Sequence, residues 1–373
     1  MKKRELYFII VVAIAVIVLL LLPTGYENPD LTRGLLYEKA EVMAIDNSDL
    51  NNISVTTLGT QDLTLLYLSG PFKGETVEAR NVLLGDKRRD KIFDVGDKVL
   101  SVSRLSEDGK SIVECRAEEH YRRDLELILV VIFLLALILF AGVTGAKAGL
   151  SFIFTALCFW KLLIPSLLSG HSPLMVSIAM VFLTSSVIIL LVGGVSKKGI
   201  VALLGTFSGV VVTALLALTF GHFFKIPGVI QEYADTLLYM GFDHLDFSQM
   251  LLSCIFISSA GAVMDVAMDI AAAQDELTTK APDLSRSELI RSGLNIASPV
   301  VGSMTTTLLF AYSGSFMFAF MAFMAQGVPL EHIVNRGYIA SEILLTLVGS
   351  FGLVLVAPIT AIIGGYIFKK RLN

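Results

Sequence analysis

Apolar residues run from Tyr7 to Leu22, behind the basic Lys2-Lys3-Arg4 and ahead of Pro23. That run just suffices to cross a bilayer with little tilt, since a span needs about twenty apolar residues. A cleaved signal peptide competes with this reading, but no small-residue cleavage pattern follows Leu22-Pro23-Thr24. A retained first helix over 1–23 is therefore expected. Over 24–123 the period changes. Short alternating runs, Tyr37–Ile45, Ser54–Leu58, Leu63–Leu68, Glu75–Leu83, Lys98–Leu105 and Ser111–Cys115, are separated by turn signals such as Ser69-Gly70-Pro71, Gly96-Asp97 and Glu107-Asp108-Gly109. Five or six strands at this spacing predict a compact β-barrel or sandwich. Over 124–373 the chain is apolar again, in seven runs: Leu125–Val143, Ala148–Leu168, Leu174–Gly194, Gly199–Phe220, Met250–Ala273, Pro299–Ala325 and Tyr338–Phe368. The pattern predicts an α-helical polytopic membrane protein of about eight spans, with a small all-β extracytoplasmic domain inserted after the first helix.

Composition agrees, with 54% apolar and only 17% charged residues, the balance of an integral membrane protein whose first partner is the lipid bilayer. A net charge of −4 without a basic stripe argues against a nucleic-acid partner. Cys115, Cys158 and Cys254 suggest no disulfide framework, and the five scattered histidines show no metal-ligand spacing. Neither a cofactor nor a catalytic constellation is called for, so the expectation is not an enzyme. Lys and Arg fix an orientation. One side carries Lys2, Lys3, Arg4, Lys147, Lys197, Lys198, Lys280, Arg286, Arg291, Lys369, Lys370 and Arg371, the other Lys225 and Arg336. Both termini are then cytoplasmic and the β-domain lies outside.

The polar residues inside the apolar runs carry the candidate chemistry. Asp265 and Asp269 are one helical turn apart on one face, with Gly261 on the same face above them. A charged Asp at the centre of a bilayer helix costs roughly 2.5–3.5 kcal/mol on insertion scales, so it faces a bundle interior or wet cavity more often than lipid. Two carboxylates this close can share a proton, and they are read as the proton- or ion-coupling pair. Ser303, Thr305, Thr306 and Thr307 open the next span at the same inner depth. They are read as polar lining, although back-bonding to their own helix is the plainer alternative for each. Lys161 either snorkels to the outer interface or pairs with Asp265; Glu342 is interfacial or a rim charge beside Lys161. The segment Asp275–Asn295 reads as an amphipathic helix at the inner surface, and Gly205-x-x-x-Gly209 is a close-packing signature.

On Gly261-Ala262-Val263-Met264-Asp265-Val266-Ala267-Met268-Asp269-Ile270, followed by Asp275-Glu276-Leu277, the chain resembles the YibE/F family of bacterial multi-pass membrane proteins. Gly302-Ser303-Met304-Thr305, Ala311-Tyr312-Ser313-Gly314, Gly349-Ser350 and Pro358-Ile359-Thr360-Ala361 support the resemblance. It departs from that pattern at Ala297-Ser298-Pro299, where a charged start is usual, at Thr306, where an amide is usual, and at Gly337 in place of an acid. The resemblance implies a bacterial plasma-membrane protein and carries no settled activity. The order of acidic span, amphipathic loop and Thr-rich span is also similar to the proton-using half of SecD/SecF and other resistance-nodulation-division proteins, as a pattern without aligned sequence.

These readings converge on a proton- or cation-coupled membrane transporter, or an energy-coupling membrane component, acting on an unknown small molecule or ion. The alternative is a non-transporting membrane scaffold or sensor whose β-domain binds a protein partner. An intramembrane aspartyl protease fits less well, because its two acids come from different helices.

Overall fold

The computed structural model describes residues 3–26, 34–106 and 108–369. Lys2, Lys370 and Arg371 of the basic side, and Glu107 of the last turn signal, lie outside the described residues. The chain divides into two compact units, Glu27–Ala136 and Met1–Tyr26 together with Leu137–Asn373.

The first unit holds β1 (Leu35–Asp46), β2 (Asn51–Ile53), β3 (Thr56–Tyr67), β4 (Thr76–Leu84), β5 (Lys98–Leu105) and β6 (Ile112–His120). β1 pairs antiparallel with both β3 and β5, β3 with β4, and β5 with β6. The sheet closes where β4 meets β6 in parallel at Arg80 and Arg116. This is a partly open Greek-key barrel of five long strands, the arrangement of the OB type. Alternation along the strands turns Val42, Leu63, Leu65, Tyr67 and Val99 inward. Phe93, from the loop between β4 and β5, is fully buried with them. A buried amide fixes that loop. Gln61 donates from Nε2 to Phe93 O (3.0 Å) and Asn47 Oδ1 (2.9 Å), and its Oε1 accepts from Phe93 N and Asn81 Nδ2 (3.0 Å each).

Among the described residues, seven helices are long and apolar enough to cross a membrane by length and composition. They are α1 (Lys3–Leu21), α2 (Arg123–Cys158), α3 (Pro173–Val192), α4 (Lys197–Phe224), α5 (Phe247–Lys280), α6 (Arg286–Ala325) and α7 (Gly337–Phe368). One expected boundary is kept and one is lost. The second and third expected spans share one helical stretch, Arg123–Leu168, of 46 residues, over twice what a bilayer crossing needs. It is broken at Gly142 (φ 55°, ψ −127°), beside the expected boundary between Val143 and Ala148. The reversal there is tight enough that a Cβ on Gly145 would stand 1.9 Å from Leu137 O. The expected surface helix before Ser298 and the span after it are one element, since α6 runs through Pro299 from a Ser285–Glu288 capping box.

Within the second unit α5 is central, packing on α3, α4, α6 and α7. Side-chain approaches give the directions. Gly205 lies against Thr360, Gly209 against Val356 and Gly352 against Thr213, so α4 and α7 run antiparallel. A Cβ at Gly205 would come within 2.2 Å of Thr360 Oγ1. The close-packing role expected of Gly205 and Gly209 is thereby realised. Ser259 meets Gly349 and Gln274 meets Gly364, so α5 and α7 run parallel. Gly365 against Ile290 and Gly293 against Ala361 make α6 antiparallel to α7.

This pairing gathers the basic loops at one end. Arg286 donates from Nη2 to Lys369 O (3.0 Å) and Lys369 Nζ donates to Pro282 O. Lys147 pairs with Glu5 (3.5 Å), which also lies beside Gly194. The other end carries Glu232, Asp235, Asp243 and Asp246. There Tyr26 Oη meets Ser169 Oγ at 3.0 Å and the Tyr26 ring packs near Phe242.

Candidate functional site

The candidate site begins with the more exposed side of α5. Val263, Val266, Ala267 and Ile270 are buried against the neighbouring helices. Cys254, Ser258, Gly261, Asp265 and Asp269 form an exposed stripe, its three- and four-residue steps those of one helix face. The stripe lies between the sides of α5 that pack on α3 and α6. Asp265 and Asp269 stand on it one turn apart, exposed and not turned into the packed interior that the sequence led one to expect. Among the described residues, no ion pair or hydrogen bond from another side chain reaches either carboxylate.

The hydroxyls of α6 occupy the matching level. The contact of Gln274 with Gly293 sets an antiparallel register, and stepping back along α5 brings Asp265 level with Gly302 and Asp269 level with Ser298 at 1.5 Å per residue. The hydroxyls do not turn to the acids. Ser303 Oγ donates to Val300 O (3.0 Å), Thr305 Oγ1 to Val301 O (2.8 Å), Thr306 Oγ1 to Gly302 O (3.3 Å) and Thr307 Oγ1 to Ser303 O (3.1 Å). Each satisfies its donor on its own helix, and each oxygen keeps acceptor capacity. Ser303, Thr306 and Thr307 are exposed, Thr305 half-buried.

The two expected charge partners are not brought together. Lys161 sits half-buried in the π turn Phe159–Leu163 that continues α2, and the neighbouring Leu163 packs in a cluster with Val12 of α1 and Met180 of α3. Glu342 lies on α7 and lines a recess against α6 instead. No ion pair joins Lys161 to Asp265 or Glu342 among the described residues.

Two polar groups escaped the sequence reading. Gln274, fully buried, donates from Nε2 to Leu289 O (3.2 Å) and Ala361 O (2.9 Å), tying α5 to α6 and α7 between Gly293 and Gly364. The signal was a lone amide one step past the acids, next to Asp275-Glu276, where it passed for the start of the polar end. Tyr312 is the second. It is half-buried, and its hydroxyl lies beside Ser258 on the stripe of α5.

The pattern that defines the YibE/F-like proteins matches residues 129–370, more than half of the chain, from α2 through α7. The chain belongs to the YibE/F-like family. No curated protein and no solved structure matches it. For this YibE/F-like protein the segment Gly261–Ile270 divides by face. Its apolar members form the packed core of α5, and its glycine and two acids form the open stripe. The barrel lies outside the matched residues.

Proposed function

We propose that this YibE/F-like protein is a proton- or cation-coupled membrane transporter, or the energy-coupling component of one, in the bacterial plasma membrane. Both termini face the cytoplasm and the barrel faces outward. One observation carries the proposal: two carboxylates without a counter-charge stand one turn apart on the open face of the central helix. Two negative charges at that spacing are mutually unfavourable in a medium of low dielectric constant, and a bound proton or cation relieves both the repulsion and the desolvation cost. Asp265 is the main proton-binding group and Asp269 its partner. The exposed oxygens of Ser303, Thr306 and Thr307, with the half-buried Thr305, supply further acceptors on α6, from the level of Asp265 to about a turn and a half beyond it. Because α5 packs on four other helices, a change of charge on its open face can alter their packing, which coupling requires.

The test is Asp265→Asn in reconstituted vesicles under an imposed pH gradient. Proton movement dependent on a co-solute is expected to fall at least about tenfold, the scale of a lost transition-specific interaction of roughly 1.4 kcal/mol, while folded yield stays that of the wild type. Wild-type proton movement in the variant would sink the assignment.

One observation favours a second reading, a scaffold or sensor with a partner on the barrel. The barrel carries a recess of about 830 Å³ flanked by Asp46, Asp62, Glu78, Arg80 and Glu114. In that case Asp265→Asn lowers folded yield and there is no gradient dependence to lose.

A further inference from the structure

Away from the acidic stripe, α6 and α7 leave a recess of about 230 Å³ between them. Its wall is apolar and aromatic, with Tyr312, Phe316 and Phe320 on α6 and Ile339 and Ile343 on α7. The only ionisable carboxylate on that wall is Glu342, which is half-buried and has no hydrogen-bond or ion-pair partner among the described residues. Phe316 is held in place by Tyr338, their ring centroids 4.7 Å apart. A lone carboxylate on an aromatic wall is uncompensated twice over, in charge and in the electron-rich ring faces. Both are satisfied by one kind of ligand, an organic cation whose charge is spread over carbon. Aromatic walls recognise quaternary ammonium groups through the ring quadrupole.

We propose that the recess at Glu342 between α6 and α7 binds a small quaternary ammonium with an aryl or alkyl body, its cationic head at the Glu342 carboxylate and flanked by Tyr312, Phe316 and Phe320. The volume of about 230 Å³ admits a molecule of about ten to twelve heavy atoms, at the ~20 Å³ per atom of close-packed matter. A metal ion fits the site poorly, because one carboxylate on an apolar wall offers too few oxygen ligands to replace its water. A lipid chain would fill the volume and leave the carboxylate unanswered. The inference does not depend on the role assigned to Asp265.

The experiment uses the full chain in lipid nanodiscs and tritiated benzyltrimethylammonium, with unlabelled compound and the neutral isostere neopentylbenzene as competitors. Saturable binding is expected, displaced by the cation and not by the neutral isostere at equal concentration. Glu342→Gln is expected to weaken binding at least about tenfold, as loss of a charge-assisted contact does. Phe320→Leu, at a side chain already more than a third exposed, is expected to weaken it about threefold to tenfold without disturbing the fold. Asp265→Asn should leave it unchanged. Equal displacement by neopentylbenzene would reassign the recess to lipid and overturn the proposal. So would an unaltered affinity in Glu342→Gln. If that variant does not fold, the wild-type competition together with Phe320→Leu decides between the same outcomes.

Discussion

Tyr67 is an uncommon residue for the centre of so small a barrel. It is 1% exposed, its hydroxyl bonds to Ser103 Oγ and meets Cys115 Sγ at 3.6 Å. Burial pushes its phenol up from 10.0 to about 12, because the tyrosinate would be charged inside an apolar core. The raised value fixes the sign. The protonated form is favoured by the fold, so the stability it contributes is complete below pH 10 and is lost as the pH rises toward 12. The denaturant midpoint of the barrel, followed by tyrosine fluorescence, should fall across that window and fall less in Tyr67→Phe. Parallel pH profiles would contradict the assignment. Single residues also explain where the strand pattern misled. Ser54–Leu58 and Leu63–Leu68 read as separate runs because Gln61 interrupts the apolar alternation. In the structure they form one strand, Thr56–Tyr67, whose inward position at Gln61 is an amide with four hydrogen bonds. A buried polar residue with all its bonds satisfied looks like a turn in sequence, since its partners are remote.

The helices were legible as apolar runs, but not all of their ends were. The break at Gly142 was legible, since Thr144, Gly145 and Lys147 end the apolar run at Val143 and a new one starts at Ala148, whereas hydropathy could not say that the helix would run on to it with so short a turn. Pro299, read as the start of a span, is instead an interior residue of α6. A proline removes one hydrogen bond and strains one turn, and α6, capped at Ser285 and packed on α5 and α7, tolerates that loss. The glycine pair of α4 was legible, whereas Gly352 and Gly364 of α7 were not, because their counterparts Thr213 and Gln274 lie far away in sequence. The same contacts yield a prediction. A Cβ at Gly209 would come within 2.7 Å of Val263 and 2.8 Å of Val356, so Gly209→Leu forces α4 away from α5 and α7 together. Overpacking of this kind costs about 1–3 kcal/mol or more. The variant should lose several degrees of thermal stability in detergent, by light scattering or dye-based unfolding. Gly261→Leu, on the open stripe with nothing within 4 Å, should lose far less; equal losses would mean the packing has been misassigned.

At the scale of the whole membrane unit, antiparallel packing converts a list of charges into a polarity. Loop composition alone put Lys147, Lys197, Lys280 and Lys369 on one side by counting spans, a procedure that fails with a single miscounted helix. The structure joins the same ends through contacts that do not depend on the count: Lys147 to Glu5, Glu5 beside Gly194, Arg286 to Lys369 and Lys369 to Pro282. The opposite end carries a run of acids before α5 and few cations. The site was less legible than this polarity. The sequence announced Asp265 and Asp269 by their spacing and could not say that the hydroxyls of α6 would bond to their own helix, because a threonine's choice between helix and neighbour depends on rotamer and packing. If bacterial loops rich in Lys and Arg stay in the cytoplasm, the gathered end faces inward. With Cys115, Cys158 and Cys254 replaced by serine, a cysteine at Ser285 should then resist a membrane-impermeant maleimide in intact cells and react once the membrane is opened. A cysteine at Glu232, near the acidic end, should react in both conditions. Labelling of position 285 from outside would invert the unit and place Asp265 in the outer half of the bilayer, where a proton-driven cycle would load it from the opposite side.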